Sequence, residues 1–144
     1  LETSEVHALE GRAAWNKGQQ TLATQKTEAV LALEPNQIDA TRTIILIASA
    51  QQRWRDAVNQ ARKLITLSSD DLGDRLLLAS ALGGAGEVRE QENSLRDTYN
   101  RFAPDERAYR ALHDFLLSQK KLDAAARLER EYKGQLASAL WEEN

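Results

Sequence analysis

The side chains able to do chemistry are few and dispersed. Only two histidines occur, His7 and His113, at opposite ends of the chain. Metal ligands must converge to about 2 Å from one ion, and this pair offers no such convergence. Cysteine is absent, which removes disulfides, thiolate metal sites and a cysteine nucleophile. Asp70-Asp71 and Glu142-Glu143 are carboxylate pairs placed where helices begin or end, so their expected role is helix-end electrostatics rather than acid–base catalysis. Gly83-Gly84-Ala85-Gly86 lacks the lysine and the preceding strand of a phosphate loop. The basic side chains have no aromatic platform beside them of the kind that single-stranded nucleic acid stacks on. No catalytic residue, cofactor or metal site is expected, and the chain reads as a non-enzyme.

What must be positioned is therefore a surface. Charged residues make up 28% of the 144 positions and Gly plus Pro only nine, which is the composition of a folded chain with a real core. A formal net charge of -3 and a pI near 5.5 argue against a dedicated nucleic-acid partner. The longest apolar run, Ile44-Ile45-Leu46-Ile47-Ala48, is far short of the roughly 20 residues that span a bilayer, so no direct membrane insertion is expected of this segment. The chain opens at Leu1 and contains no methionine, which suggests a processed chain or a piece of a longer protein.

One pattern organises the rest. Trp54 opens an amphipathic stretch, Val88 lies 34 residues later and Leu122 another 34, while the same step backwards lands on Gln20. Three residues beyond each stand Ala23, Ala57, Gln91 and Ala125. Fixed-interval self-similarity of this kind is the signature of stacked units that share one interior. Within each interval two stretches carry apolar residues at three- and four-residue steps, for example Ala57, Val58, Ala61, Leu64 and Ile65, and each stretch predicts a helix. The units fall near 4–37, 38–71, 72–105 and 106–139, with a C-terminal extension to 144, all in one domain spanning 1–144. Gly18, Pro35, Ser68-Ser69-Asp70-Asp71 and Pro104 mark the breaks, and the run of glycines at 83–86 predicts a looser turn than its counterparts. Ile38, Ile44, Ile45, Leu46 and Ile47 spread too widely around one helix for a surface helix, which places it at the centre of the stack. Trp54 is expected in the core, the tail after Gly134 as a cap over the last unit.

These residues resemble the tetratricopeptide repeat family in a divergent, bacterial form. The bulky position is matched by Trp54, Val88 and Leu122, the alanine by Ala23, Ala57 and Ala125, the small residue of the leading helix by Gly11 and Ala79, and the closing proline by Pro35. Gln20, Gln91, Ile45 and His113 depart from that pattern. The resemblance implies an all-α solenoid of about four antiparallel helix pairs wound as a right-handed superhelix, with a ligand lying against the first helix of each pair. Carrying over the groove positions places Arg12, Trp15 and Asn16 there from the first unit, and Arg42 and Leu46 from the second. Leu77 follows from the third, then Arg107, Arg110 and Asp114 from the fourth. The arginines are the expected carboxylate clamps, since a guanidinium offers two parallel hydrogen bonds. Ala8, Thr43 and Gly84 share the groove register, and the lysine and asparagine set that grips a chaperone tail is not matched.

The expected function is a non-catalytic scaffold for a peptide or partner protein, in a bacterial assembly or export complex. The alternatives are a homo-oligomeric or spacer segment of a longer solenoid, and a regulatory domain attached to an enzyme not present here. The resemblance to bacterial arrays of this alanine- and glutamine-rich, divergent kind, many of which belong to envelope assembly or export proteins, implies a periplasmic or envelope-associated setting over a cytoplasmic one.

Overall fold

The computed structural model describes residues 3–143; Leu1, Glu2 and Asn144, the last residue of the expected extension, lie outside them. The described residues form eight α-helices: α1 Ser4–Asn16, α2 Gln20–Leu33, α3 Ile38–Ala50, α4 Trp54–Leu67, α5 Leu72–Gly84, α6 Val88–Phe102, α7 Glu106–Ser118 and α8 Leu122–Glu143. Every odd-numbered helix starts 34 residues after the previous one, and every even-numbered helix does the same.

The local causes repeat with the helices. Thr3, Gln37, Asp71 and Asp105 precede the odd-numbered helices, and each accepts a hydrogen bond on its side chain from a backbone N–H of the first turn. Each odd-numbered helix is left through one residue of positive φ: Gly18 at 78°, Gln52 at 58°, Gly86 at 78° and Lys120 at 60°. A left-handed residue ends a helix by turning the chain back on itself. The glycine run is thus no looser than its counterparts, because Gly83 and Gly84 complete α5 and only Gly86 makes the turn.

The chain divides into two compact units, Leu1–Val88 and Arg89–Asn144. In the first, α1 pairs with α2 and α3 with α4, α3 also touches α1, α2 and α5, and α5 packs on α4. Helix α3 is therefore central, as the wide spread of its apolar residues requires. The close approaches are made by small residues: Ala8, Ala14, Ala23, Ala40, Ala57 and Ala61 are buried, and Gly11 lies so near Thr27 that a Cβ there would stand 2.7 Å from its Oγ1. Ile45, Ile47, Leu64 and Leu82 fill the space between.

The bulky repeat position behaves differently from the expectation. Trp54 is half-buried, and Val88 and Leu122 are exposed, whereas the alanine three residues later is fully buried in α2, α4 and α8. The alanine position forms the core; the bulky position sits at its edge.

In the second unit α7 pairs with α8, and Leu95, Tyr99, Leu112, Phe115, Leu116, Ala125 and Leu128 are buried. Gly134 does not stop α8, which runs eight residues longer than α2 or α4. The tail is no closed cap, because Leu136, Leu140 and Trp141 are exposed.

Candidate functional site

The expected groove residues fall on four helices. On α1, Arg12 is half-buried and its Nε donates to Asn16 Oδ1 at 3.4 Å, while Asn16 is exposed. Trp15 is half-buried against the cluster of Ala14, Ala23 and Ile47, on which Ile44 also packs. On α3 Leu46 is half-buried, and on α5 Leu77 rests against the cluster built on Ile45, Ala57, Leu64 and Leu82. Because α3 touches both α1 and α5, these side chains lie on three neighbouring helices of one unit. Ala8 and Thr43, which share the groove register, are fully buried and are not surface residues.

Arg42 is engaged within the protein. Its Nε and Nη2 donate to the two carboxylate oxygens of Asp74, both at 2.8 Å; Asp39 approaches its Nη1 at 3.3 Å, and Asp71 its Nη2 at 3.6 Å. Asp74 is 2% exposed. The Asp74 hydrogen bonds and the surrounding carboxylates hold the Arg42 guanidinium above its ordinary pKa against the opposing effect of burial. This fork fastens α3 to α5. Sequence reasoning missed it, and its one visible signal is an aspartate 32 residues after an arginine, one near-repeat length away.

In the second unit Arg107, Arg110 and Asp114 are exposed on α7. Arg110 Nη2 meets Glu106 at 2.6 Å, one turn away, and Arg107 Nε lies 3.9 Å from the capping Asp105. A group not anticipated from sequence stands nearby on α7 and α8: the Tyr109 and Tyr132 rings stack at 4.0 Å, His113 lies 5.4 Å from Tyr109, and His113 Nε2 is 3.2 Å from Glu129. Burial, then the Glu129 charge, raises the Tyr109 phenol above its ordinary pKa. The spacings Tyr109 to His113 and Glu129 to Tyr132 put each pair on one helix face, which is the signal that could have found it.

Glu92 on α6 takes hydrogen bonds from Lys121 in the α7–α8 turn and from Arg96. The Lys121 bond chiefly, then Arg96, lowers its carboxyl below the ordinary range. A depressed acid contributes stability that is complete above its unfolded pKa and is lost as pH falls through the folded one. Hydrogen exchange of the α6 amides should therefore quicken as pH drops below about 4, once the intrinsic pH dependence is removed, and Glu92→Gln should blunt that acid response. An unchanged acid response in Glu92→Gln would assign it to another group.

Among the described residues no three His, Asp or Glu side chains gather as metal ligands would. A cavity of about 590 Å³ lies at the α3–α4 turn, where Trp54, Arg55, Arg62 and Gly84 line it together with Glu87. Its mixed charges carry no arrangement of nucleophile, base and oxyanion donor.

No protein-family model matches the chain, and no curated protein matches it. Solved structures do. MamA from Desulfovibrio magneticus RS-1 superposes with a TM-score of 0.79 at 16% identity, over 94% of this chain and 77% of that one. A MamA structure of strain MSR-1 gives 0.75 at 18% identity, over 96% and 79%. The fold is tetratricopeptide-like. A Thermobaculum terrenum O-GlcNAc transferase mutant matches with a TM-score of 0.69 at 17% identity, over 81% of this chain but only 23% of that one. At such identities the likeness is one of fold. The expected periplasmic or envelope-associated setting does not stand: the MamA structures that share this fold give a divergent, Ala- and Gln-rich array no tie to the periplasm or envelope. Among the described residues no helix is long and apolar enough to cross a membrane.

Proposed function

We propose that the chain is a non-catalytic scaffold that docks a peptide or partner protein on the face formed by α1, α3 and α5. The observation that carries this reading is that Trp15, Leu46 and Leu77, one on each of three successive stacked helices, are left half-open instead of buried. Large side chains fixed on rigid helices and incompletely covered are the usual anchors of protein recognition. Arg12 and Asn16 supply the polar rim. Arg42 serves this face as a fixed strut rather than as a free clamp, since its fork is filled by Asp74. Arg107, Arg110 and Asp114 on α7 form a separate, polar patch of the second unit, suited to charged segments.

A peptide array followed by solution titration tests this. Leu46→Ala and Trp15→Ala should each weaken a selected peptide about tenfold or more, the effect of losing roughly 1.4 kcal/mol at an anchor. Charge reversal at Arg12 or Arg110 should change affinity less and should alter its salt dependence. Unchanged affinity in the Leu46 and Trp15 variants would remove the assignment. The second reading, a regulatory part of an enzyme, draws on the likeness to a fraction of the O-GlcNAc transferase mutant. It requires a catalytic activity in a longer chain that the same substitutions modulate.

A further inference from the structure

Three side chains keep their identity where the rest of a repeat does not. Between α4 and the stretch 34 residues later, only Arg55 with Arg89, Asn59 with Asn93 and Arg62 with Arg96 are the same residue. The packing positions differ: Ala57 answers to Gln91, Ala61 to Leu95 and Leu64 to Thr98. All six shared residues are exposed, and their spacing puts each set in one stripe along the solvent face of its helix. Exposed helix positions tolerate exchange at little cost, so the fold does not hold them. Asparagine is a poor residue for a helix interior, and its place at the centre of both stripes costs helix propensity.

The α4 stripe also borders a cavity. Arg55, Asn59 and Arg62 line the space of about 590 Å³ between α4 and the α5–α6 turn, with the Trp54 indole as its apolar wall. The charged lining is three arginines, Arg53 included, against the two carboxylates of Asp56 and Glu87. Arg53 and Asp56 meet each other at 2.8 Å, and Arg62 has contacts of its own within the chain. Among the described residues the Arg55 side chain has no hydrogen-bond or ion-pair partner, and neither has Arg89 at the same place on α6.

We infer that this cavity is a docking site for an acidic segment of a partner protein. Arg55 clamps a carboxylate of that segment with two parallel hydrogen bonds, Asn59 donates its amide N–H one turn further on, and an apolar side chain lies on Trp54. An acidic protein segment fits this surface better than a nucleic acid, because the chain carries a net charge of -3 and the cavity offers a single aromatic platform. The α6 stripe presents the same groups on the second unit with Val88 in place of the tryptophan, and is the weaker of the two. The site draws on none of Trp15, Leu46 or Leu77.

A nitrogen–proton correlation spectrum of the whole chain tests this, since its three tryptophans give separate indole N–H signals and Trp54→Phe assigns the one that matters. The probe is an acetylated, amidated hexapeptide alternating glutamate and valine. It should shift the Trp54 signal saturably and leave that of Trp15 in place. Its glutamine counterpart should bind about tenfold or more weakly, the loss for a charge-assisted bidentate pair. Arg55→Gln should weaken the glutamate peptide by the same factor with an unchanged thermal midpoint, because the side chain is exposed. Glu87→Gln should tighten it roughly twofold, by removing a like charge from the lining. Arg89→Gln should leave the Trp54 titration as it is. A Trp54 signal that does not move, an equal response to the glutamine peptide, an Arg55→Gln chain that binds as before, a Glu87→Gln chain that binds more weakly, or tighter binding of a thymidine hexanucleotide would each overturn the assignment. Docking on the α1–α3–α5 face is read at Trp15 and should be the same in Arg55→Gln, so the two readings fail separately.

Discussion

Arg42→Ala should destabilise the first unit by roughly 3–5 kcal/mol, the range for removing one partner of a buried ion pair. The reason lies in what stays behind. Asp74 is 2% exposed and its carboxylate has both oxygens committed to Arg42. Without the guanidinium a charged group remains out of water, next to Asp39 and Asp71, which add repulsion where they had added attraction. Asp74→Ala should cost less, because Arg42 is 28% exposed at its side chain and keeps two carboxylates and solvent as partners. Replacing both, as Arg42→Met with Asp74→Leu, should recover most of the loss, since an apolar pair of similar volume substitutes for a buried ion pair at little cost. Native-state hydrogen exchange of the α3 and α5 amides reads the effect locally, which matters in a chain of two units. A loss under about 1 kcal/mol in Arg42→Ala would mean that Asp74 is solvated or repartnered in solution.

That fork also explains what the sequence could and could not disclose. The spacing of small residues was enough for the helix pairs, because steric fit at Ala23, Ala57 and Ala125 is a property of one residue and its period. A polar contact between helices depends on two side chains whose meeting is decided by the stacking itself. Nothing in the local context of Arg42 distinguishes it from Arg12 or Arg110, yet only Arg42 faces a buried aspartate. Equally, the burial of Thr43 and Ala8 follows from how closely α3 approaches its neighbours, which the groove register alone does not record. The left-handed turns were half legible: Gly18 and Gly86 advertise positive φ, while Gln52 and Lys120 adopt it because the helices on either side leave no other path. Setting was not legible at all, since alanine-rich repeats serve helix packing in any compartment.

Trp54 gives the second large effect, and its partner is a glycine rather than a core leucine. A Cβ built on Gly84 would stand 2.3 to 2.5 Å from Cε3, Cδ2 and Cζ3 of the Trp54 ring, so the indole lies directly on the Gly84 backbone at the end of α5. Gly84→Ala cannot be absorbed by a flexible chain end, because the opposing atoms belong to a rigid ring; it should cost about 1–3 kcal/mol by overpacking, partly offset by the better helix propensity of alanine. Trp54→Ala should cost about 2 kcal/mol, less than the roughly 3–5 of a fully enclosed aromatic, since the ring is only partly enclosed. In the Trp54→Ala background the Gly84→Ala change should turn neutral or stabilising, because the atoms it would strike are gone and only the helix preference remains. The double-mutant cycle should thus return a coupling above about 1 kcal/mol. Additive losses would place the indole away from Gly84 and make Trp54 an ordinary surface residue of the α4 N-terminus, in which case the bulky repeat position contributes to neither the core nor its edge.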